Sequence, residues 1–300
     1  MSASERPFGR VVTAMVTPMS ADGAVDYDGA GRLATHLVEH GSDGIVVSGT
    51  TGESPTTTRD EKAELLRVVV SAVGERAHVI GGVGTYDTAH SIELAHDADK
   101  AGAEALLAVT PYYNKPPQRG LLEHFTAIAE ATDLPVMLYD LPGRTALALE
   151  TDTIVRLAEH PKVVALKDAK LDLGATSWVK ARSDIAVYSG QDEYTLPLLA
   201  VGAVGVVSVV AHVAGERINR MIAAYDEGAV ADARKEHLSL LPAFTGLFRV
   251  TNPVLTKAAV GLLGLPAGPV RLPLVDPTDA ELATLRADLA AAGVTIGESA

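Results

Sequence analysis

The chain has 300 residues, of which 47% are hydrophobic and only 4% aromatic, and its formal net charge is −13. The hydrophobic content is enough for a large core and excludes intrinsic disorder, while the acidic balance argues against nucleic acid as a partner. Cysteine is absent, which excludes disulfides and thiolate metal sites and leads us to expect a protein of the reducing cytoplasm. No run of about 18 apolar residues occurs, so we expect no segment that spans a membrane.

Eight short apolar segments rich in β-branched residues alternate with longer segments whose apolar residues recur every three or four positions, as at Leu33, Leu37 and Val38. Buried strands that alternate with helices are typical of parallel α/β folds. The stretch from Thr58 to Glu61 has the pattern of a capping box and predicts the start of one such helix. The predicted strands cover residues 11–16, 44–47, 78–83, 105–109, 136–139, 163–167, 185–188 and 205–209.

These eight strand–helix units predict an α/β protein, a (β/α)₈ TIM barrel over residues 1–225. From about Asp226 onward the pattern is helical only, with a second capping box predicted between Thr278 and Glu281. We expect residues 226–300 to form C-terminal helices packed on the barrel, as an appendage within one structural unit. A doubly wound sheet is the alternative, but no strand-to-helix turn has the Gly-x-Gly-x-x-Gly pattern.

Catalytic residues of such barrels lie where the strands end, and the sixth predicted strand ends in Lys167 after four apolar residues. Burial would disfavour the ammonium of Lys167, lower its pKa and supply a nucleophilic amine. A structural ion pair between Lys167 and Asp168 or another carboxylate is the other interpretation, and strand position alone does not separate the two.

The other strand ends add hydroxyls and one arginine. The Gly-Thr-Thr-Gly turn with Thr50 and Thr51 offers backbone N–H groups suited to a carboxylate, although an ordinary turn has the same composition. Tyr139 is either a core tyrosine or a phenol within reach of an imine on the next strand. Arg144, in a Pro-Gly turn, is either solvated or a bidentate clamp for a carboxylate.

Four segments together resemble bacterial dihydrodipicolinate synthases: GTTGES at 49–54, TPYYNKP at 110–116, LYDLPGRT at 138–145 and ALKDA at 165–169. The resemblance runs from about residue 11 to about residue 294, in the family's order and spacing. It implies a lyase that condenses pyruvate with L-aspartate 4-semialdehyde to 4-hydroxy-tetrahydrodipicolinate, in the diaminopimelate and lysine pathway.

The resemblance also implies the catalytic residues. Lys167 would form the imine with pyruvate, and Tyr139 would donate and accept protons in a relay with Thr50 and Tyr113. In the family the second tyrosine of the pair reaches across a dimer interface, so Tyr113 is expected to act in the neighbouring subunit. The expected assembly is a homotetramer built as a dimer of dimers, and a dimer is the alternative, since either supplies Tyr113.

The substrate-binding residues follow from the same resemblance. Thr51 and the backbone at Val207 would hold pyruvate, Gly190 would line the pocket, and Arg144 would bind the carboxylate of the semialdehyde.

One departure from the family concerns feedback by lysine. Lysine-sensitive relatives tend to have His, His, Asn and Glu at four positions where this chain has Arg59, Lys62, Tyr86 and His90. Two cations without a carboxylate form a poor site for a cationic ligand. The sequence therefore predicts weak or absent inhibition by lysine.

Three alternative functions remain, of which the first uses the same imine chemistry and the other two do not. A related pyruvate-imine aldolase, for N-acetylneuraminate or a keto-sugar acid, would share Lys167 and Tyr139 but generally differ at Arg144. A metal-dependent enzyme lacks support, because His36 and His40 fall on an outer helix. A pyridoxal phosphate enzyme lacks support because no distinctive phosphate loop is found. We therefore expect no metal and no cofactor. An inactive binding protein would be expected to have lost some of these site residues.

Overall fold

The computed structural model describes residues 6–296, and within them eight parallel strands close into one barrel in chain order. Each predicted strand is confirmed to within two residues at either end. Each strand pairs with the next, and β1 closes the barrel by pairing with β8, where Val11 lies opposite Val206. The strands are β1 Val11–Ala14, β2 Gly44–Val47, β3 His78–Gly82, β4 Ala105–Val109, β5 Val136–Asp140, β6 Val163–Asp168, β7 Ala186–Ser189 and β8 Gly205–Ser208.

Helices follow the strands and surround the barrel. Both predicted capping boxes are confirmed: the Thr58 side chain accepts from Glu61 N and the Thr278 side chain from Glu281 N. The helices are α1 Tyr27–Glu39, α2 Arg59–Val73, α3 Thr88–Lys100, α4 Gln118–Ala131, α5 Pro142–Thr145, α6 Thr151–Leu157, α7 Leu173–Arg182, α8 Thr195–Ala200, α9 Ala211–Asp226, α10 Val230–Gly246, α11 Val254–Leu262 and α12 Asp279–Ala291.

The core has an inner and an outer layer, as expected for strands that are buried on both faces. Inside the barrel, side chains such as Val46, Ile80 and Met137 fill the lumen. Near the amino ends of the strands, Phe8 packs against Tyr188 and its N–H donates to the Tyr188 hydroxyl at 2.9 Å. The lumen is therefore a packed core, and the site must lie at its other end.

The helices after β8 form a second apolar cluster, in which α10 and α12 pack beside α9 against the outside of β1 and β8. The sequence predicts a barrel over residues 1–225 and helices over residues 226–300. The first five residues of the former and the last four of the latter, 1–5 and 297–300, lie outside the described part of the chain. Among residues 6–296, no helix is both long enough and apolar enough to cross a membrane.

Candidate active site

Lys167 lies at the carboxyl end of β6, with only 5% of its surface exposed. Burial lowers the pKa of its ammonium to about 7; the nearby Asp192 carboxylate opposes this shift and the Arg144 guanidinium adds to it. Within residues 6–296 no carboxylate forms a salt bridge with Lys167, and Asp168 instead accepts from Thr176 and from the Lys170 backbone. The ion-pair interpretation with Asp168 is therefore wrong, and the amine is available for chemistry.

Tyr139 lies beside Lys167 because β5 and β6 pair with these two residues in register. The Lys167 ammonium nitrogen is 4.1 Å from the centre of the Tyr139 ring. Burial raises the pKa of Tyr139 to about 12, with Arg144 and a hydrogen bond from Thr50 acting in the opposite direction. The phenol is therefore protonated at neutral pH and can donate a hydrogen bond to a group bound on Lys167.

A narrow cavity at the barrel mouth is bordered by Thr50 and Tyr139. The Ser48 hydroxyl, also in this lining, is buried and has no hydrogen-bond partner in the described part of the chain. Of the two adjacent tyrosines, it is Tyr112 that lines the cavity. The lining is completed by Gly49, Ser54, Pro55, Gly82, Val83, Gly84, Leu107 and Val109.

Tyr113 does not join this site within one chain. Its side chain is 91% exposed, and its backbone has a φ of +73°. The next residue, Asn114, donates to the Tyr86 carbonyl at 2.9 Å and so fixes the loop against the turn after β3. Tyr113 therefore points away from the chain's own cavity.

Arg144 lies on the short helix α5 and is largely exposed. One guanidinium nitrogen donates to the backbone carbonyl of Asn252 at 3.2 Å. Its charge acts on the pKa of both Tyr139 and Lys167. Arg144 is thus close enough to the buried pair to attract an anion to the mouth of the barrel.

Gly190 directly follows β7, and Val207 lies near the carboxyl end of β8. A Cβ on Gly190 would lie 2.8 Å from the Ala169 Cβ, so only glycine allows the chain to pass this close to the end of β6. Val207 is buried in the cluster that also contains Tyr139 and Ala169. Neither residue lines the narrow cavity described above, so their place in a pyruvate pocket stays a prediction.

Comparison with known proteins identifies the family. Residues 7–292 match the model of the Dihydrodipicolinate synthetase family. The chain belongs to this family. It is 65% identical over 289 residues, 96% of this chain and 94% of the relative, to the 4-hydroxy-tetrahydrodipicolinate synthase of Acidothermus cellulolyticus. It is 60% identical to 4-hydroxy-tetrahydrodipicolinate synthase 2 of Streptomyces coelicolor, over 98% of this chain and 99% of the relative.

A solved structure agrees with this assignment. The dihydrodipicolinate synthase of Cyanidioschyzon merolae, crystallised with lysine bound, superposes with a TM-score of 0.94 at 47% identity, covering 96% of this chain and 99% of that one. The dihydrodipicolinate synthetase fold therefore extends over nearly the whole chain, including the helices after the barrel.

The residues on which the lysine prediction depends differ from expectation in two ways. Arg59 does not line the adjacent cavity of about 450 Å³, because it forms ion pairs with Asp97 and Glu93 on α3. The lining does contain Lys62, but it also contains a carboxylate, that of Asp87. The four positions themselves hold no carboxylate, so the acidic group comes from a fifth residue, Asp87, which also caps α3 by accepting from Ala89 N.

Two buried polar residues near the site were not predicted from the sequence. Asp192 is 3% exposed, and its carboxylate accepts from the Ser208 hydroxyl and from the N–H groups of Val209 and Val210 at 3.0 and 3.2 Å. It thereby fixes the end of β8 next to Lys167. Asn252, from the segment before α11, hydrogen-bonds to Thr51 across 201 positions of sequence. Asn252 follows no strand, and the donors to Asp192 lie at the end of β8 and just after it, so neither residue has a local signal.

Proposed function

We infer that the chain condenses pyruvate with L-aspartate 4-semialdehyde to give 4-hydroxy-tetrahydrodipicolinate, through an imine on Lys167. The observation that carries this inference is a buried lysine with a pKa near 7 and its nitrogen 4.1 Å from the ring of a protonated tyrosine, at the mouth of a barrel. Imine chemistry needs both a neutral amine and a proton donor.

In the first step the neutral amine of Lys167 attacks the keto carbon of pyruvate, and water leaves as the imine forms. Loss of a proton from the pyruvate methyl group then gives an enamine. Its carbon attacks the aldehyde carbon of the second substrate, whose oxygen takes up a proton. The amino group of the semialdehyde finally replaces Lys167 at the former keto carbon, which closes the ring and frees the enzyme.

Protons for these steps are assigned to hydroxyl groups. Tyr139 would protonate the departing oxygen, and Thr50, which hydrogen-bonds to Tyr139, would pass protons to and from it. A relay of hydroxyls moves protons without placing a formal charge in a buried pocket, where an unpaired charge is costly. We assign the third relay position to Tyr113 of a neighbouring copy, because its own chain leaves it 91% exposed.

The two substrate carboxylates are assigned to opposite sides of Lys167. The Thr51 hydroxyl and the backbone at Val207 would hold pyruvate, next to Gly190. The Arg144 guanidinium, a bidentate donor to carboxylates, would hold the semialdehyde.

The active assembly is proposed to be a homotetramer, a dimer of dimers, which works in the cytoplasm. Such an assembly needs two separate contact surfaces, and we assign these to two of the groups of large hydrophobic residues that are exposed within residues 6–296. One contains Tyr86 and Tyr113, and the other contains Leu171, Leu173 and Trp178 near α7. Analytical ultracentrifugation with Trp178→Glu tests this: we expect a dimer that keeps Tyr113 in place, and an unchanged tetramer would contradict the second surface.

The assay that tests the function supplies purified protein with pyruvate and a choice of aldehyde. We expect turnover with L-aspartate 4-semialdehyde and at least 100-fold lower kcat/KM with N-acetylmannosamine, because we assign Arg144 to the carboxylate of the semialdehyde. Loss of a charged anchor is commonly worth a factor of this order. Comparable or faster turnover of the sugar would favour the sialic acid aldolase alternative.

A further inference from the structure

Asn252 hydrogen-bonds to two of the predicted substrate-binding residues. It is 5% exposed and lies just before α11, in the part of the chain that follows the barrel. Its side-chain Nδ2 donates to Thr51 Oγ1 at 2.8 Å, and its backbone carbonyl accepts from the Arg144 guanidinium at 3.2 Å. A single residue therefore contacts both of the side chains to which we assign the substrate carboxylates.

The hydrogen bond to Thr51 determines what the Thr51 hydroxyl can do. A hydroxyl has one proton to donate and two lone pairs that accept. Because Asn252 Nδ2 donates to Thr51 Oγ1, one lone pair is used and the Thr51 proton remains free for an anion. If the amide were reversed, its oxygen would take that proton and Thr51 would lose its donor.

The orientation of the amide is itself held by a third residue. Thr256, on the first turn of α11, is fully buried and its hydroxyl donates to Asn252 Oδ1 at 2.8 Å. With Oδ1 engaged by Thr256, the NH₂ group is the part of the amide that faces Thr51. The pair Asn252 and Thr256 is therefore built to present a donor, not an acceptor, to the substrate-binding loop.

The backbone of Asn252 has a separate effect on Arg144. Guanidinium has five N–H donors in a rigid plane, and within residues 6–296 the bond to the Asn252 carbonyl is the one hydrogen bond that Arg144 makes. That bond fixes the plane of an otherwise exposed side chain and leaves the other donors for a ligand.

We propose that Asn252 is a positioning residue that sets the affinity for pyruvate, by holding the Thr51 hydroxyl as a donor to the pyruvate carboxylate. It contacts no reacting atom, so its effect should fall on substrate binding and not on the chemical step. The inference rests on the proposed function, because it assumes that pyruvate is the ligand above Lys167.

The alternative is that Asn252 only attaches α11 to the loop after β2. The chain offers a matched control, since Lys257 of the same helix forms a buried ion pair at 2.9 Å with Glu53 of the same loop. Lys257 does not touch Thr51 or Arg144, so Lys257→Met loosens the attachment without changing the donor that Thr51 offers.

The experiment measures kcat, KM for each substrate, and the pyruvate concentration that half-saturates borohydride trapping. All measurements are made at a temperature below the melting temperature of every variant. Asn252→Ala should raise KM for pyruvate and the half-saturating concentration together by about five- to tenfold, the value of the one neutral hydrogen bond that positions the Thr51 hydroxyl. We expect kcat and KM for the semialdehyde to stay within about twofold. Asn252→Asp should raise KM for pyruvate by about 100-fold, because its carboxylate accepts the Thr51 proton and repels the substrate anion.

Thr256 provides the second test, which does not alter Asn252 itself. Thr256→Val, which removes the donor that orients the amide, should shift the same two pyruvate parameters in the same direction, and Thr256→Ser should restore them. Lys257→Met should lower the melting temperature and leave KM for pyruvate within about twofold.

Unchanged pyruvate parameters in Asn252→Ala and Asn252→Asp, with only a lower melting temperature, would overturn the proposal. An equal loss of pyruvate affinity in Lys257→Met would also overturn it. Failure of the proposed function is distinguishable, because the unmodified protein would then fail to be trapped by pyruvate or to turn over the substrate pair.

Discussion

Lowering the pH is expected to slow imine formation on Lys167, with a midpoint near neutrality. Since burial lowers the pKa of this amine to about 7, the neutral form makes up about 90% of the protein at pH 8 and about 10% at pH 6. Only the neutral amine attacks a carbonyl, so the rate should fall about tenfold between these values and level off above pH 8. A lysine with the ordinary pKa of about 10.4 would lose about 100-fold over the same range and show no plateau.

The assay mixes protein with pyruvate at each pH and quenches samples at fixed times into borohydride at one alkaline pH. Reduction then occurs under the same conditions in every sample, and mass spectrometry gives the labelled fraction. The variant Asp192→Asn provides a second test. The Asp192 carboxylate stabilises the Lys167 ammonium, so removing it should shift the midpoint of the rate profile to lower pH. A rate that rose tenfold per pH unit up to pH 9 would refute the burial argument, and an unmoved midpoint in Asp192→Asn would refute the role of that carboxylate.

Three further outcomes are expected. Tyr139→Phe should lower kcat by about 10² to 10⁴ while pyruvate is still trapped, and near-normal turnover would remove the phenol from the mechanism. Lys257→Met should lower the free energy of unfolding, measured in urea, by about 3–5 kcal/mol, because it leaves Glu53 as a buried carboxylate without its cation. Adding Glu53→Gln should recover part of this loss. A decrease below about 1 kcal/mol in Lys257→Met would contradict this reasoning. Free lysine should inhibit the enzyme weakly or not at all, because Lys62 in the adjacent cavity repels its cationic groups. Strong inhibition by submillimolar lysine in a rate assay would contradict this prediction and would show that Asp87 offsets the repulsion.

The barrel is predictable from the sequence because each strand–helix unit carries its own local signal. Strands buried on both faces are continuous apolar runs, and the helix starts at Thr58 and Thr278 are specified within four residues. Side chains at the ends of strands necessarily meet at one face of a barrel. For that reason the positions of Lys167 and Tyr139 at the ends of consecutive strands are enough to predict that they lie together.

Contacts that depend on tertiary packing were not predictable in the same way. Asn252 reaches Thr51 from the turn before α11, where no strand ends, and no local pattern indicates where such a turn docks. Arg59, in the first turn of α2, forms ion pairs with Asp97 and Glu93 on the neighbouring helix, and nothing within α2 indicates that these carboxylates lie beside it. Asp192 looks like an ordinary loop residue until β8 supplies its donors.

The central claim is that one buried amine forms the covalent bond to pyruvate, and hydride trapping followed by peptide mass mapping tests it most directly. With pyruvate and borohydride we expect one modification per chain, on Lys167, accompanied by loss of activity. The buried lysines Lys62 and Lys257 serve as internal controls, because each is engaged by carbonyl or carboxylate oxygens and should remain unmodified. A reduced pyruvyl group on a different lysine, or on none, would contradict the account.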